Sequence, residues 1–441
     1  MTQAYGDIAD SVAADITAGR LRPGQQLPTQ RRFARDHGIA VSTASRVYSE
    51  LVRRGLVVGE VGRGTFVRTA EPATDALAEP ARANVDLELN FPTLPGQAEL
   101  LAPGIEALLR PDALATSLRP ATVRGTSEAR EATAALLARP HWVPASEDIL
   151  FAGNGRQALA AAIAALAGPG ERLGVEALTY PVMKGIAGRL GVTLVPLAMD
   201  AHGVEPAAVR SAGVRAVYLQ PTLHNPLGIT MPQGRRAELA ALLTELDIVA
   251  IEDMVNGFLD PTVTPIAAMA PDHTVLMDSL TKRLAPGLTA GFLVAPRRLA
   301  SGLSSALRSG GWTAPAFALA AATRWINGGA VATIVQAKVN DAQVRQRLAA
   351  DRLAGLTVTA NPRAYHLWWS LPAPWRAETF VSAAARRGIA VTPAAAFTVG
   401  PGQAPNAIRL ALASPPIEIL DQALQALVEL AKSNPDETDH E

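Results

Sequence analysis

Apolar residues recur at helical spacing over residues 8–19, and a glycine ends the pattern. Two further short helices are predicted over residues 27–38 and 41–55, because a capping residue precedes and a glycine follows each of them. Thr29 and Ser42 are the predicted N-caps. Short helices joined by a tight turn predict a helix-turn-helix.

A β-hairpin is predicted directly after these helices. The stretches LVV and TFVR are rich in β-branched and aromatic residues and flank GEVGRG, whose glycine-rich tip is residues 62–64. We interpret this hairpin as a wing. Residues 70–86 then lack a clear apolar period and are rich in alanine, proline and acidic residues, which predicts a linker.

Helical patterns alternate with short β-branched stretches in the remainder of the chain. Examples of these stretches are VRAVYLQ, DIVAIED and TVLMDS. The alternation predicts an α/β domain around a mostly parallel sheet. The sequence therefore predicts an N-terminal domain over 1–69, a linker over 70–86, a large domain over 87–432 and a disordered polar tail over 433–441.

Length, charge and composition narrow the class of protein. With 441 residues, of which 49% are hydrophobic, the chain can build more than one core. Basic and acidic residues are equal at 40 each, but residues 1–70 hold ten arginines and six acidic residues, an excess of four positive charges. The absence of cysteine excludes disulfides, thiolate metal sites and a catalytic thiol. Without a signal peptide or a membrane-length apolar stretch, we expect a cytoplasmic protein.

The predicted helix-turn-helix has the side chains that reading DNA requires. A recognition helix needs short polar residues in its first turn to reach base edges, with arginines nearby for phosphate. Ser42, Thr43 and Arg46 meet this demand, Arg31 lies on the preceding helix, and Arg63 in the wing is placed to enter a minor groove. The alternative is a surface helical bundle that carries arginine and serine without binding DNA.

Three polar residues follow predicted strands of the large domain: Asn225, Asp253 and Lys282. The carboxyl ends of parallel strands share one edge, so these side chains are expected to converge on one crevice. Pyridoxal phosphate needs a lysine for its Schiff base, a carboxylate for its pyridine nitrogen and a donor to its ring hydroxyl. Taken singly, each residue has another explanation: Asn225 can belong to a turn, Asp253 can cap a helix and Lys282 can be a solvated lysine.

Other residues supply the remaining parts of such a site. A loop that opens a helix after the strand DILFAG offers free N–H groups to a phosphate, and two hydroxyls precede the lysine. An aromatic ring is available for stacking and an arginine for a ligand carboxylate. A buried structural tyrosine and a surface ion pair remain alternatives for the last two. These candidates are Asn154, Gly155, Arg156, Ser279, Thr281, Tyr180 and Arg409.

Two resemblances support these interpretations. A resemblance to the GntR-family winged helix covers the whole stretch LPTQRRFARDHGIAVSTASRVYSELVRRGLVVGEVGRGTFV, and residues 90–430 resemble the fold type I aminotransferases. This fusion is the layout of the MocR subfamily. The resemblance implies that Lys282 forms the Schiff base, Asp253 pairs with the pyridine nitrogen, Asn225 donates to the ring hydroxyl, Tyr180 stacks on the ring and Arg409 binds the carboxylate.

The sequence departs from the aminotransferase pattern at three places. The arginine usually found seven positions after the lysine is Thr289, and the tyrosine usually found after the aspartate is replaced by Val255 or Asn256. The tyrosine that normally reaches the phosphate from the partner subunit is replaced by Pro120 and Ala121. Arg156 and Arg283 are the candidates to compensate for the missing arginine.

The leading hypothesis is a homodimeric, pyridoxal-phosphate-dependent regulator that binds double-stranded DNA. Its effector would be an amine, an amino acid or a vitamin B6 compound, whose binding shifts the two lobes of the large domain and thereby the spacing of the winged helices. An active aminotransferase with a DNA-binding appendage and a cofactor-free dimeric repressor are the alternatives.

Overall fold

The computed structural model describes residues 5–18, 20–21, 25–54, 56–60, 64–67, 83–400 and 404–435. The N-terminal domain has three helices followed by a two-stranded antiparallel sheet, as predicted for a winged helix. These elements are α1 (Tyr5–Thr17), α2 (Gln30–Asp36), α3 (Val41–Arg53), β1 (Val57–Glu60) and β2 (Gly64–Val67).

One of the two predicted helix caps is confirmed and the other is wrong. The hydroxyl of Thr29 accepts a hydrogen bond from the N–H of Arg32 (3.4 Å) and so caps α2. At α3 the capping position is Ala40, whose backbone is extended (ψ 149°), so the helix begins at Val41. Ser42 therefore lies inside the first turn, where its side chain is exposed. The predicted stop Gly55 and residues 62 and 63 of the predicted hairpin tip lie outside the described residues, while Gly64 begins β2.

The large domain holds the other helices and strands. Its helices are α4 (Gln97–Glu106), α5 (Pro111–Ser117), α6 (Ser127–Leu137), α7 (Gly155–Leu166), α8 (Pro181–Arg189), α9 (Pro206–Ser211), α10 (Gln233–Glu245), α11 (Leu280–Arg283), α12 (Ala300–Ser309), α13 (Ala316–Asn327), α14 (Ala330–Arg352), α15 (Ala377–Arg386) and α16 (Ile417–Lys432).

The strands of the large domain follow the same chain order. They are β3 (Val85–Asp86), β4 (Ile149–Ala152), β5 (Arg172–Glu176), β6 (Thr193–Leu197), β7 (Met199–Asp200), β8 (Gly203–Val204), β9 (Ala216–Leu219), β10 (Val249–Asp253), β11 (Thr274–Ser279), β12 (Gly291–Val294), β13 (Val358–Ala360), β14 (His366–Ser370), β15 (Ile389–Ala390), β16 (Thr392–Pro393) and β17 (Ala407–Ala411).

The central sheet has seven strands in the order β4-β12-β11-β10-β9-β5-β6. Six of them run in one direction, and β12 is antiparallel to both of its neighbours. Strands β4, β9, β10 and β11 are buried along their whole length, as expected for a sheet with both faces covered. The predicted mostly parallel α/β fold is confirmed, and the carboxyl ends of β4, β5, β9, β10 and β11 lie along one edge.

A smaller lobe packs beside this sheet. Its antiparallel sheet has the order β13-β14-β17-β16, and its core includes Trp369, Phe380 and Leu424 from β14, α15 and α16. Strand β3 pairs with β15, so Val85 and Asp86 belong to this lobe although the sequence assigns them to the linker. Residues 70–82 of the predicted linker and 436–441 of the predicted tail lie outside the described residues.

Candidate functional site

The carboxyl edge of the central sheet borders a cavity of about 390 Å³. All ten residues that the sequence predicts for cofactor and effector binding line it. They are Asn154, Gly155, Arg156, Tyr180, Asn225, Asp253, Ser279, Thr281, Lys282 and Arg409. The first nine follow or end strands of the central sheet, and Arg409 comes from β17 of the smaller lobe. The cavity therefore lies between the two parts of the large domain.

Lys282 lies in α11, a single helical turn directly after β11. Its Nζ donates a hydrogen bond to Oδ1 of Asn256 at 3.0 Å. Burial lowers the pKa of Lys282 to about 8; the Asp253 carboxylate opposes this shift, and the charges of Arg409 and Arg156 add to it. A substantial fraction of this amine is therefore neutral, and hence nucleophilic, near neutral pH.

Asp253 ends β10 and is held by two donors. The hydroxyl of Tyr218 donates to Oδ2 at 2.7 Å, and the N–H of Val255 donates to Oδ1 at 2.9 Å. Burial raises the pKa of Asp253, whereas these two hydrogen bonds and the charge of Lys282 act in the opposite direction. The carboxylate is thus fixed in orientation beside the lysine, and a buried cation or N–H donor would be its complementary partner.

The start of α7 forms a cradle of backbone N–H groups at the end of the cavity near Ser279 and Thr281. Oδ1 of Asn154 accepts the N–H of Gln157 (2.9 Å), which caps the helix. A Cβ added at Gly155 would lie 3.0 Å from Oγ of Ser279, so glycine permits the helix start to approach the end of β11. An anion is favoured at such a helix terminus.

Arg156 and Tyr180 form the adjoining wall of the cavity. Nε of Arg156 donates to the Tyr180 hydroxyl at 3.2 Å. Burial raises the pKa of this tyrosine, so its hydroxyl stays protonated. On the other side of the cradle, the hydroxyls of Thr281 and Thr289 are 2.9 Å apart. The guanidinium group of Arg156 is thus next to the helix start, where an anion would bind.

Arg409 is buried, with 5% of its surface exposed. Its Nη2 donates to the carbonyl of Glu88 and to the hydroxyl of Thr392, and its guanidinium carbon lies 5.3 Å from the ring centroid of Phe397. Nε is buried without a hydrogen-bond partner in the described part of the chain. Burial lowers the pKa of Arg409 to about 10, so it is still charged at neutral pH. A ligand carboxylate would satisfy its open donor.

The predicted DNA-reading side chains of the N-terminal domain lie on α2 and α3. Arg31, Ser42 and Arg46 are exposed and Thr43 is half-buried. The guanidinium carbon of Arg46 lies 6.0 Å from the ring centroid of Tyr5. Arg63, predicted in the wing, lies outside the described residues. Three of these four side chains are thus accessible to solvent.

Family models match both parts of the chain. The model for aminotransferase class I and II matches residues 84–427, and the model for bacterial regulatory proteins of the gntR family matches residues 4–67. The chain belongs to the class I and II aminotransferase family. It carries a GntR domain at its N-terminus, and this domain order is the one expected from the MocR resemblance.

This aminotransferase-family protein is similar to curated HTH-type regulators in sequence and to a solved aminotransferase in fold. The HTH-type transcriptional regulator YdeF of Bacillus subtilis is 28% identical over 96% of this chain and 93% of its own length. The pyridoxine biosynthesis regulator PdxR of Corynebacterium glutamicum is 25% identical over 66% of this chain and 65% of its own length. The multiple substrate aminotransferase of Thermococcus profundus has a TM-score of 0.72 and 23% identity, covering 82% of this chain and 95% of its own.

Two residues that sequence reasoning did not place in the site bind its central groups. Tyr218 holds Asp253, and Asn256 holds Lys282. A signal for Tyr218 exists, because a hydroxyl on an otherwise apolar buried strand must find a partner. Asn256 stands three positions after Asp253, at one of the two positions where the resemblance expects a tyrosine, so its contact with the lysine was foreseeable only from that departure.

The structure rules out one of the two arginines that could replace the arginine missing at Thr289. Arg283 was a candidate to replace the arginine missing at Thr289. It is instead buried against the carboxylate of Asp278, and its guanidinium carbon lies 5.5 Å from the ring of Phe258. Arg283 follows Lys282 directly in α11 and points to the opposite side of that turn, because the buried Asp278 needs a charged partner. Arg156 is therefore the remaining candidate.

Two other features, a membrane-spanning helix and a metal-binding cluster, are absent from the described residues. None of the helices there is long and apolar enough to cross a membrane. No group of three or more His, Asp or Glu side chains suited to a metal ion occurs among the same residues.

Proposed function

We propose that this chain is a homodimeric transcription regulator that binds an operator through its GntR domain and senses an amine through pyridoxal phosphate in its aminotransferase domain. The observation that carries the proposal is the convergence of Lys282, Asp253, Asn225 and Arg409 on one cavity that opens onto the helix start at Gly155. The domain composition is that of the HTH-type regulators to which the chain is similar.

The residues present fit pyridoxal phosphate. The phosphate would bind at the N–H groups of Gly155 and Arg156, with the hydroxyls of Ser279 and Thr281 and the Arg156 guanidinium around it. Asp253 would pair with the ring nitrogen and Asn225 with the ring hydroxyl, while Tyr180 would cover one face of the ring. When bound, the cofactor supplies an aldehyde carbon that reacts reversibly with primary amines.

Lys282 and Asn256 favour sensing over turnover. The Asn256 amide holds the lysine amine by accepting a hydrogen bond, but an amide does not exchange protons at neutral pH as an acidic or basic group does. A tyrosine at this position would offer an ionisable hydroxyl. The site therefore keeps the groups that bind an amine and lacks one group that would assist proton movement. An active aminotransferase is the second candidate, favoured by the presence of Lys282, Asp253 and Asn225 in one cavity.

Exposed apolar residues support the homodimer. Leu100, Leu109, Leu114 and Leu118 are 43%, 62%, 39% and 79% exposed, and all belong to the segment that contains α4 and α5. Such clustering is typical of a surface that a partner covers. Sedimentation equilibrium tests the assignment: a dimer mass for the wild type and a monomer mass after charged substitutions at Leu109 and Leu118 are expected, and a wild-type monomer contradicts it.

An absorbance titration tests the cofactor assignment. The sequence contains four lysines, which gives the experiment a matched control. Addition of pyridoxal phosphate should produce a visible band in the wild type and in Lys184→Ala, but not in Lys282→Ala. Equal bands in all three proteins would mean that the cofactor does not react at Lys282. Absence of a band in the wild type would instead support a cofactor-free repressor.

A mobility-shift assay with genomic operator fragments tests the regulatory part of the proposal. Operator affinity should change when an amine effector is added to the cofactor-loaded wild type and should not respond in Lys282→Ala. If the protein transaminates amino and keto acids steadily and neither compound changes its operator affinity, it is an enzyme and not a sensor.

A further inference from the structure

Residues 88–91 form a wall of the cavity that takes no part in the proposed cofactor binding. Oδ1 of Asp86 accepts the N–H groups of Glu88 (2.8 Å) and Leu89 (3.0 Å), which fixes the backbone of this segment. The carbonyl of Glu88 accepts a hydrogen bond from Arg409. The wall is thus joined to the guanidinium group that is available for a ligand carboxylate.

Two hydrogen-bond acceptors of this wall lack a donor. Glu88 lines the cavity, and its carboxylate contacts no donor among the residues that the structure describes. Oδ1 of Asn90, which lines the same cavity, is buried and equally without a partner there. An acceptor withdrawn from water and left unpaired is unfavourable by about 1–3 kcal/mol. The buried Asn90 oxygen is therefore complementary to a donor that arrives with a ligand, and the half-buried Glu88 carboxylate on the same wall is open to the same group.

The charge distribution around Glu88 indicates what kind of donor this is. Burial raises the pKa of Glu88, and the nearby negative charge of Asp86 adds to the shift, while Arg409 opposes it. A positive charge beside Glu88 would relieve both unfavourable contributions. An ammonium group fits best, because it has three donors and no acceptor and so can serve Glu88 and Asn90 together.

From these contacts we infer that the effector is an amino acid with a second cationic group on its side chain, which Glu88 and Asn90 bind while Arg409 binds the carboxylate. This inference rests on the proposed function, since the first amino group of the effector would be the one that reacts at the cofactor site beside Lys282. An amino acid with an apolar side chain would leave Glu88 without a cationic partner and Asn90 without a donor.

Matched amino acids test this inference in the cofactor-loaded, full-length protein. Ornithine and norleucine have side chains of equal length that differ in the terminal ammonium group, as do 2,4-diaminobutyrate and norvaline. Binding of each is followed through the visible spectrum. We expect at least one cationic member to bind about tenfold or more tightly than its apolar partner, as a charge-assisted hydrogen bond would give.

The variant Glu88→Gln keeps the shape of the side chain and removes its charge. It should weaken binding of the preferred cationic amino acid about tenfold and leave binding of the apolar partner unchanged or tighter, so the apolar partner also reports that the variant is folded. Glu88→Asp should restore part of the preference. Equal affinities within both wild-type pairs, or an equal change of both members in Glu88→Gln, would overturn the inference.

The same titrations separate this inference from the proposed function. If norleucine and norvaline bind and neither cationic amino acid is preferred, the amine sensor stands and only the role of Glu88 is wrong. If the visible band forms but no amino acid alters it, both are wrong. If the band is absent in the wild type, the proposed cofactor site fails and this inference fails with it.

Discussion

Arg156→Gln is expected to weaken binding of pyridoxal phosphate roughly 10- to 150-fold. Arg156 stands at the start of α7, whose first residues line the cavity together with Ser279 and Thr281. With threonine at 289 and Arg283 turned towards Asp278, it is the cation available to the phosphate at this end. A hydrogen bond to a charged group contributes about 1.5–3 kcal/mol, which gives the quoted range.

The phosphate contribution can be separated from a second effect of the same substitution. Arg156 also donates to the Tyr180 hydroxyl at 3.2 Å, so its loss loosens the ring that would cover the cofactor. That effect applies equally to pyridoxal, which lacks the phosphate. Titrations of the wild type and Arg156→Gln with both compounds therefore yield the phosphate contribution as a difference of differences.

Three comparisons test whether Arg156 binds the phosphate. Pyridoxal phosphate should lose much more affinity than pyridoxal, and Arg308→Gln on the exposed surface of α12 should change neither. Thr289→Arg added to Arg156→Gln returns an arginine to the position of the family pattern and should recover part of the loss. Equal losses for both compounds would refute the reasoning, because Arg156 would then act only through Tyr180.

The other predictions concern the lysine, its carboxylate partner and the DNA interface. Because the pKa of Lys282 is lowered from 10.5 to about 8, the neutral fraction of its amine at pH 7.5 rises from about 0.1% to about 24%. The rate of cofactor attachment, followed by stopped-flow absorbance, should therefore increase with pH up to about 8 and then level off. A rate that still rises tenfold per pH unit at pH 9.5 would contradict the lowered pKa. Tyr218→Phe removes the hydroxyl that donates to the buried Asp253 carboxylate at 2.7 Å. It should lower the free energy of unfolding of the cofactor-free protein, measured with urea, by about 1.5–3 kcal/mol. An unchanged urea midpoint would show that this hydrogen bond contributes nothing. Arg46→Ala should weaken operator binding by about 1–3 kcal/mol in a mobility-shift assay at fixed salt. The control variant Arg110→Ala changes a side chain that is 74% exposed on the large domain and should leave operator binding unchanged. Equal operator binding by both variants would remove Arg46 from the interface.

The sequence alone determined the architecture and the candidate cofactor-binding residues of the cavity. Helical periods, caps and glycine stops are local signals, and they predicted the three helices and the hairpin of the N-terminal domain. The ends of parallel strands share one edge whatever their order, so residues as distant as Asn154 and Lys282 could be assigned to one crevice without knowledge of the strand order. Arg409 lies on a different sheet, so it was predicted from its ability to bind a carboxylate and from the family resemblance and not from a strand end.

Contacts between side chains were decided only by the tertiary structure. Tyr218 meets Asp253 across 35 residues because β9 and β10 are neighbours in the sheet, and Asn256 meets Lys282 across 26 residues because the turns after β10 and β11 face each other. Arg283 turned away from the site because a buried carboxylate lies on the far side of its helical turn. A sequence lists the groups that need partners, but strand order and side-chain direction choose the partner, since burial leaves each polar group only the neighbours that the fold supplies.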